Sequence, residues 1–393
     1  MKTPSKSQPL LVACLWLMQA CTSDEATSAD ARQPRADAGT NDAGAVSTDA
    51  QVPRDAGPQP ADVSPAQPDD TELPGADIQP DASQPYAPPY PAGVTDIAPD
   101  PNSTRRVRVV IPGSVVDQPP RALVVVLHGG GGTGLDVSEP GQHPLAVFRD
   151  VAERERFVVA YPEGSAAQDG KLGWTDCRAD NLQASGADDV GFLLTSIAFL
   201  QDEFDLTPEQ TFMAGGSNGG QMTLAFAAHH AGQLRAIAVS SANLPETPLE
   251  GPCSEGPSQP IAALFTHGSA DIAMPYTGGC VANIGGNCSR GRVIGAEDTR
   301  DAWLRLNGLP SAATQTSTVD IDADDAGSAE RFLYDGANPV VWWRLNNAGH
   351  PSPSIAVTVA PNSFNGVQNN DVEFAELAWQ FFAQQLNPTA IAP

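Results

Sequence analysis

The sequence predicts an α/β domain: a mostly parallel central sheet with helices on both faces. Two observations carry this. Short β-rich runs alternate with helical stretches from residue 106 to residue 386, and the runs are apolar along most of their length, as in Leu123-Val-Val-Val-Leu127. Strands read that way when helices cover both faces of a parallel sheet.

The elements follow in order. Residues 106–111 and 122–127 are strands separated by a turn region with Pro112-Gly113 and Pro119-Pro120. A helical stretch is expected over 145–156 and a strand over 157–161. From 189 to 204, Val190, Leu193, Leu194, Ile197, Leu200 and Phe204 recur at helical spacing. Thr207-Pro208-Glu209 is a turn with a proline suited to a helix start. A strand over 211–214, a helix over 218–230 and a strand over 236–240 come next. Later strands are expected at 262–266, 316–321 and 340–345, with a helix over 297–306 and an amphipathic closing helix over 371–386. No repeat at solenoid or propeller spacing interrupts the pattern.

This domain, taken as residues 90–388, follows two segments of different character. Residues 1–20 read as an export signal: Lys2 and Lys6 are followed by an apolar run over 10–20 that ends in a small residue before Cys21. At eleven residues the run is about half what a bilayer-spanning helix needs. Met18-Gln19-Ala20-Cys21 resembles a bacterial lipobox, although Met18 and Gln19 stand where Leu and Ala or Ser are commoner. Cys21 is therefore the expected lipidation site and the only expected link to a membrane. Residues 21–89 are rich in Asp, Ala and Pro. From 22 to 85 thirteen acidic residues face three arginines, with almost no large apolar side chains, so the segment is expected to be a disordered tether.

The formal charge of −26 would repel a polyanion, which excludes nucleic acid as an expected partner. With Cys14 in the export segment and Cys21 at the expected lipidation site, Cys177, Cys253, Cys280 and Cys288 remain, an even number for an oxidising compartment. Cys280 and Cys288 flank a short Gly-rich loop and are expected to pair, leaving Cys177 with Cys253. Close CxxC or HxxxH spacings do not occur, so no metal site is expected.

Gly215-Gly-Ser217-Asn-Gly219 is a G-x-S-x-G sequence between a predicted strand and a predicted helix, the setting this motif requires. Flanking glycines permit a sharp turn, and the helix N-terminus aims free N–H groups at developing negative charge. A serine hydroxyl also needs a base and an orienting acid. Asp271, in His267-Gly-Ser-Ala-Asp271, and His350, in Asn346-Asn-Ala-Gly-His350, follow predicted strand ends in the order Ser, Asp, His. Ser217, Asp271 and His350 are the expected catalytic residues. His229 and His230 sit too far along the helix, His267 is expected to brace a loop, and His143 is isolated. Leu127-His-Gly-Gly-Gly-Gly132 follows a strand, as the oxyanion loop of esterases does. The N–H groups of Gly130 and Asn218 are the expected oxyanion donors, with His128 as a brace.

Two competing motifs fail on spacing. Gly129 to Gly134 fits G-x-G-x-x-G, but the following residues are not expected to open a helix, and Glu163 lies later than a ribose-binding acid should. Asp320, Asp322, Asp324 and Asp325 lack the glycine and glutamate of a calcium loop and fit a solvated hairpin tip. No cofactor is expected.

Together these segments resemble the family of secreted esterases that groups polyhydroxybutyrate depolymerases with feruloyl and acetylxylan esterases. The resemblance runs from residue 106 to 386. It also rests on Tyr161-Pro-Glu-Gly, Gly173-Trp-Thr-Asp-Cys-Arg178 and Asp188-Asp-Val-Gly-Phe192. It implies an α/β-hydrolase fold, with Ser217 as nucleophile, Asp271 as acid and His350 as base. The implied function is an exported serine carboxylic-ester hydrolase that works through an acyl-enzyme on a polymeric or aryl ester. Pro351-Ser-Pro-Ser354 stands where the family often has Trp-Pro-Gly, at the edge of the cleft. Trp174 is a candidate for lining the pocket and equally for a place in the core. A serine peptidase of the same fold, or a non-catalytic surface binding protein, are the alternatives.

Overall fold

The computed structural model describes residues 86–182, 184–248, 259–282, 286–323 and 326–386. The export signal, Cys21, most of the linker and Cys253 lie outside the described residues.

Ten strands form one sheet: β1 (Gly93–Ile97), β2 (Val107–Ile111), β3 (Leu123–Leu127), β4 (Val158–Pro162), β5 (Thr211–Gly216), β6 (Ala236–Ser240), β7 (Ala262–Gly268), β8 (Gln315–Val319), β9 (Ser328–Tyr334) and β10 (Val340–Asn346). Their spatial order is β1-β2-β4-β3-β5-β6-β7-β10-β9-β8. The centre, from β4 to β10, is parallel throughout. Antiparallel pairs finish both edges. This is the α/β-hydrolase architecture expected from the sequence.

Packing explains the apolar strands. Leu123, Val125 and Leu127 of β3 face one core, with Leu193, Ile197 and Leu200 of α3 (Asp189–Phe204) and Met222 and Phe226 of α4 (Asn218–His230). Val124 and Val126 face the other, with Phe148 of α2 (Phe148–Glu155) and Phe374 and Trp379 of α6 (Phe374–Leu386). Successive strand residues point to opposite faces, so a strand covered on both sides must be apolar at every position. Ring stacking adds specificity: Phe212 lies 4.5 Å from Phe382 and Phe157 lies 4.2 Å from Trp379.

Local signals set the ends. Asp188 caps α3 by accepting the Gly191 N–H at 2.7 Å, and Asp205 ends it in the left-handed region. α5 (Ala296–Leu306) buries Trp303 beneath the sheet. Some expectations shift. The stretch 145–156 divides into a 3-10 turn, Pro144–Val147, and α2. The last helix starts at Phe374, three residues later than expected. A one-turn helix, α1 (Gly134–Ser138), opens where none was expected, because Thr133 accepts the Asp136 N–H. Glu163 is bonded there too, since its Oε2 accepts the Gly134 N–H at 2.7 Å. Strands β1 and β9 were not anticipated.

Candidate active site

Ser217 sits between β5 and α4 with φ 55° and ψ −124°, in a backbone region that costs a non-glycine residue of order 1–3 kcal/mol. Packing enforces it. A Cβ on Gly219 would come within 2.3 Å of the Leu127 carbonyl oxygen, and one on Gly215 within 2.5 Å of Gly219 backbone. The Ser217 N–H is donated to the Ser240 carbonyl at 2.9 Å. Strand, turn and helix thus close at a spacing that only glycine permits, and the serine faces a cavity of about 350 Å³.

The other two expected residues arrive on loops beyond β7 and β10, which are parallel neighbours. Asp271 is buried. Its Oδ1 accepts the N–H groups of Ala273 at 2.9 Å and Met274 at 2.8 Å. Its Oδ2 lies 2.8 Å from His350 Nδ1, and His350 Nε2 lies 2.9 Å from Ser217 Oγ. With Nδ1 protonated toward Asp271, Nε2 is left to accept the serine proton. Burial alone would raise the Asp271 pKa. The charge and hydrogen bond of His350, aided by His267 and the Met274 N–H, bring it below the ordinary carboxylate value. His267 is wholly buried, which lowers its pKa and keeps it neutral, and it braces the loop through the Met274 carbonyl at 3.0 Å.

Gly130 and Asn218 both line the cavity beside Ser217. Neighbouring donors are occupied: the Gly131 N–H goes to the Leu172 carbonyl at 2.7 Å and the Gly132 N–H to the Gly129 carbonyl at 3.1 Å. His128 fixes this loop. Its Nδ1 donates to the Gly129 carbonyl at 2.8 Å and its Nε2 accepts the Gly164 N–H at 2.9 Å. Burial depresses its pKa to about 4, so the ring stays neutral in this role.

Of the two places open to Trp174, pocket lining and core, it takes the core and is not among the cavity-lining residues. It is wholly buried, and its indole N–H donates to the His128 carbonyl at 2.9 Å. It still serves the site, since Asn218 Oδ1 accepts the Trp174 backbone N–H at 2.8 Å. Asn218 Nδ2 also donates to Asp176, which pairs with buried Arg178 at 2.6 Å. Cys280 and Cys288 are bonded to each other, as expected. Cys177 is also disulfide-bonded, and its expected partner Cys253 lies outside the described residues.

No family model matches the chain. It is 29% identical over 168 residues to a protein named as an esterase, NocK, of Nocardia uniformis, covering 42% of this chain and 45% of that one. It is 29% identical over 188 residues to an acetylxylan esterase of Coprinopsis cinerea, covering 44% and 47%. With feruloyl esterase C of Emericella nidulans it shares 28% over 256 residues, covering 64% and 79%. Its relatives are esterases. The chain spans about half the length of the first two. Among solved structures it is similar to an acetyl xylan esterase from Aspergillus awamori: 15% identity, TM-score 0.47, covering 67% of this chain and 96% of that one.

Among the cavity residues that escaped the sequence, two carry basic groups. His143 lines the space with Nδ1 accepting the Leu145 N–H at 3.1 Å, and burial lowers its pKa to about 4. Arg290 also lines it. Neither has a local motif: His143 precedes a proline in a turn, and Arg290 follows a cysteine-bounded loop. Their place depends on long-range packing alone.

Proposed function

We propose that this chain is an exported serine carboxylic-ester hydrolase acting through an acyl-enzyme, with Ser217 as nucleophile, His350 as base and Asp271 as orienting acid. One observation carries the reading: an unbroken hydrogen-bonded path from Ser217 Oγ through His350 to Asp271, opening on the cavity.

In the first half-reaction Ser217 Oγ attacks the ester carbonyl carbon as its proton passes to His350 Nε2. Negative charge gathers on the carbonyl oxygen, where the N–H groups of Gly130 and Asn218 are assigned to receive it. The C–O bond breaks, the alcohol leaves with the proton from His350, and the acyl group stays on Ser217. In the second half-reaction His350 takes a proton from water, the hydroxide adds to the acyl carbon, and Ser217 departs as the hydroxyl. Asp271 keeps the imidazole in one tautomer and supports its positive charge.

The relatives' names favour acetylated or feruloylated polysaccharide as substrate, with polyhydroxybutyrate as the other polymeric ester of the resemblance. The export segment over 1–20, the acidic linker over 21–89 and Cys21 suggest a catalytic domain at residues 90–388 working outside the cell on a lipid-anchored tether. Among the described residues, no helix is long and apolar enough to cross a membrane. The test is a panel of acetylated xylan, methyl ferulate, poly(3-hydroxybutyrate) and short nitrophenyl esters. Selective turnover of one polymeric or aryl ester is expected. Turnover of the nitrophenyl esters alone would overturn the polymer reading while leaving the esterase standing.

A further inference from the structure

The cavity wall has an unusual charge. The chain carries 47 acidic residues against 21 lysines and arginines, yet the described residues lining the cavity include no Asp or Glu and one formally charged side chain, Arg290. Eight of the fifteen arginines among the described residues hold a carboxylate: Arg292, two residues from Arg290, pairs with Glu246 at 2.7 Å, and Arg105 pairs with Asp189 at 2.8 Å. Among the described residues, the Arg290 guanidinium has no such partner.

Its backbone is nonetheless tightly fixed. The Arg290 carbonyl accepts from Arg178 Nη1 at 2.5 Å, and Arg290 forms a β-bridge with Asn181. The Ser289 carbonyl accepts the Leu182 N–H at 2.9 Å, and the Gly291 N–H donates to the Cys288 carbonyl at 3.0 Å. The Cys280–Cys288 bridge closes the same loop. Arg178 in turn grips Asp176, which holds Asn218. Arg290 is thereby kept in register with the helix start beside Ser217.

We infer that Arg290 is a specificity-determining residue that receives a free carboxylate on the substrate, close to the ester being cleaved. A guanidinium presents paired N–H donors that match a carboxylate, and such charge-assisted bonds are about twice as strong as neutral ones. Among the described lining residues, no acidic side chain competes for it. Ser217 and Arg290 line the same cavity of about 350 Å³, so a charged group of an ester bound at Ser217 shares that space with the guanidinium. The substrate class is an acidic ester, either the hemiester of a dicarboxylic acid or an acylated acidic sugar. This inference rests on the ester-hydrolase reading and adds the charge that its substrate carries.

The test compares kcat/KM within two pairs: monomethyl against dimethyl adipate, and acetylated glucuronic acid against acetylated glucose. The wild-type protein should prefer the acidic member of at least one pair by on the order of tenfold or more, which is what one charged hydrogen bond supplies. The pair that shows the preference identifies the source of the carboxylate. Arg290→Gln should abolish the preference. Arg290→Glu should reverse it, favouring methyl 6-aminohexanoate over monomethyl adipate. Circular dichroism checks that both variants fold. Equal rates within both pairs, or a preference that survives Arg290→Glu, would overturn the inference while leaving the esterase reading intact. Absence of turnover on every ester, nitrophenyl butyrate included, would instead remove the reading beneath it.

Discussion

Asn218 accepts the backbone N–H of Trp174 on its side-chain oxygen at 2.8 Å, tying the first turn of α4 to a loop 44 residues earlier. The same side chain donates to Asp176 and to the Trp174 carbonyl. The proposed oxyanion donor is the Asn218 backbone, and its side chain keeps that backbone in place.

Asn218→Ala should therefore lower kcat on nitrophenyl butyrate more than it raises KM. A donor displaced from a developing charge costs up to about a hundredfold in rate, while ground-state contacts change little. Stability should fall by about 1–3 kcal/mol, because buried Asp176 and the Trp174 N–H lose a partner. Steady-state kinetics with a denaturant melt will show both. A rise in KM alone would place Asn218 in substrate binding instead.

His128 makes stability depend on pH in a defined window. Its ordinary pKa is near 6.5 and burial lowers it to about 4 in the fold. Between those values the unfolded chain takes up a proton that the folded chain refuses. Stability should thus rise as pH goes from 4 to 6.5 and stay level above, with a total His128 contribution of at most about 3 kcal/mol. His143 shifts in the same direction. Asp271 acts elsewhere: its folded pKa lies below 3.8, so its contribution is present above the unfolded value and is lost in stronger acid. Urea denaturation of wild type and His128→Asn from pH 4 to 7 separates them. The variant should be less stable at pH 7 and show a shallower slope; an unchanged slope would contradict the assignment.

How much of this was legible depended on locality. The Ser217 turn could be read because its determinants are adjacent: strand, glycines and helix all fall within residues 211–230. Asp271 and His350 could be read because each follows a strand that is apolar for packing reasons. β1 and β9 could not. Gly93–Ile97, at the edge of the sheet, is mostly exposed, and Ser328–Tyr334, one strand in from the other edge, carries Glu330 and Arg331 in its middle, which masks its strand pattern. The place of Trp174 stayed open because a tryptophan near a motif suits a pocket or a core equally. Its neighbour His128 decided for the core. Arg290 reached the cavity only through contacts with Arg178 and Asn181, distant in sequence.

The Cys280–Cys288 bridge spans 8 residues beside Asp271 and carries Arg290 at its end. In the chain-entropy model a loop of that size stabilises by about 2–3 kcal/mol. A Cys280→Ser, Cys288→Ser double variant should lose that much in guanidinium melts while retaining its far-ultraviolet circular dichroism. An unchanged melting midpoint would mean that the bonds from Arg178 and Leu182 already restrain the segment without the bridge.

The central claim is that Ser217 is activated by His350 and Asp271. A fluorophosphonate reacts only with a serine whose proton can be removed in place, so intact-mass analysis after brief exposure addresses it directly. Wild-type protein should gain one adduct, mapped by peptide digestion to Ser217, and Ser217→Ala should gain none. His350→Ala and Asp271→Ala should label far more slowly. An adduct on another residue, or undiminished labelling of Ser217→Ala, would contradict the account.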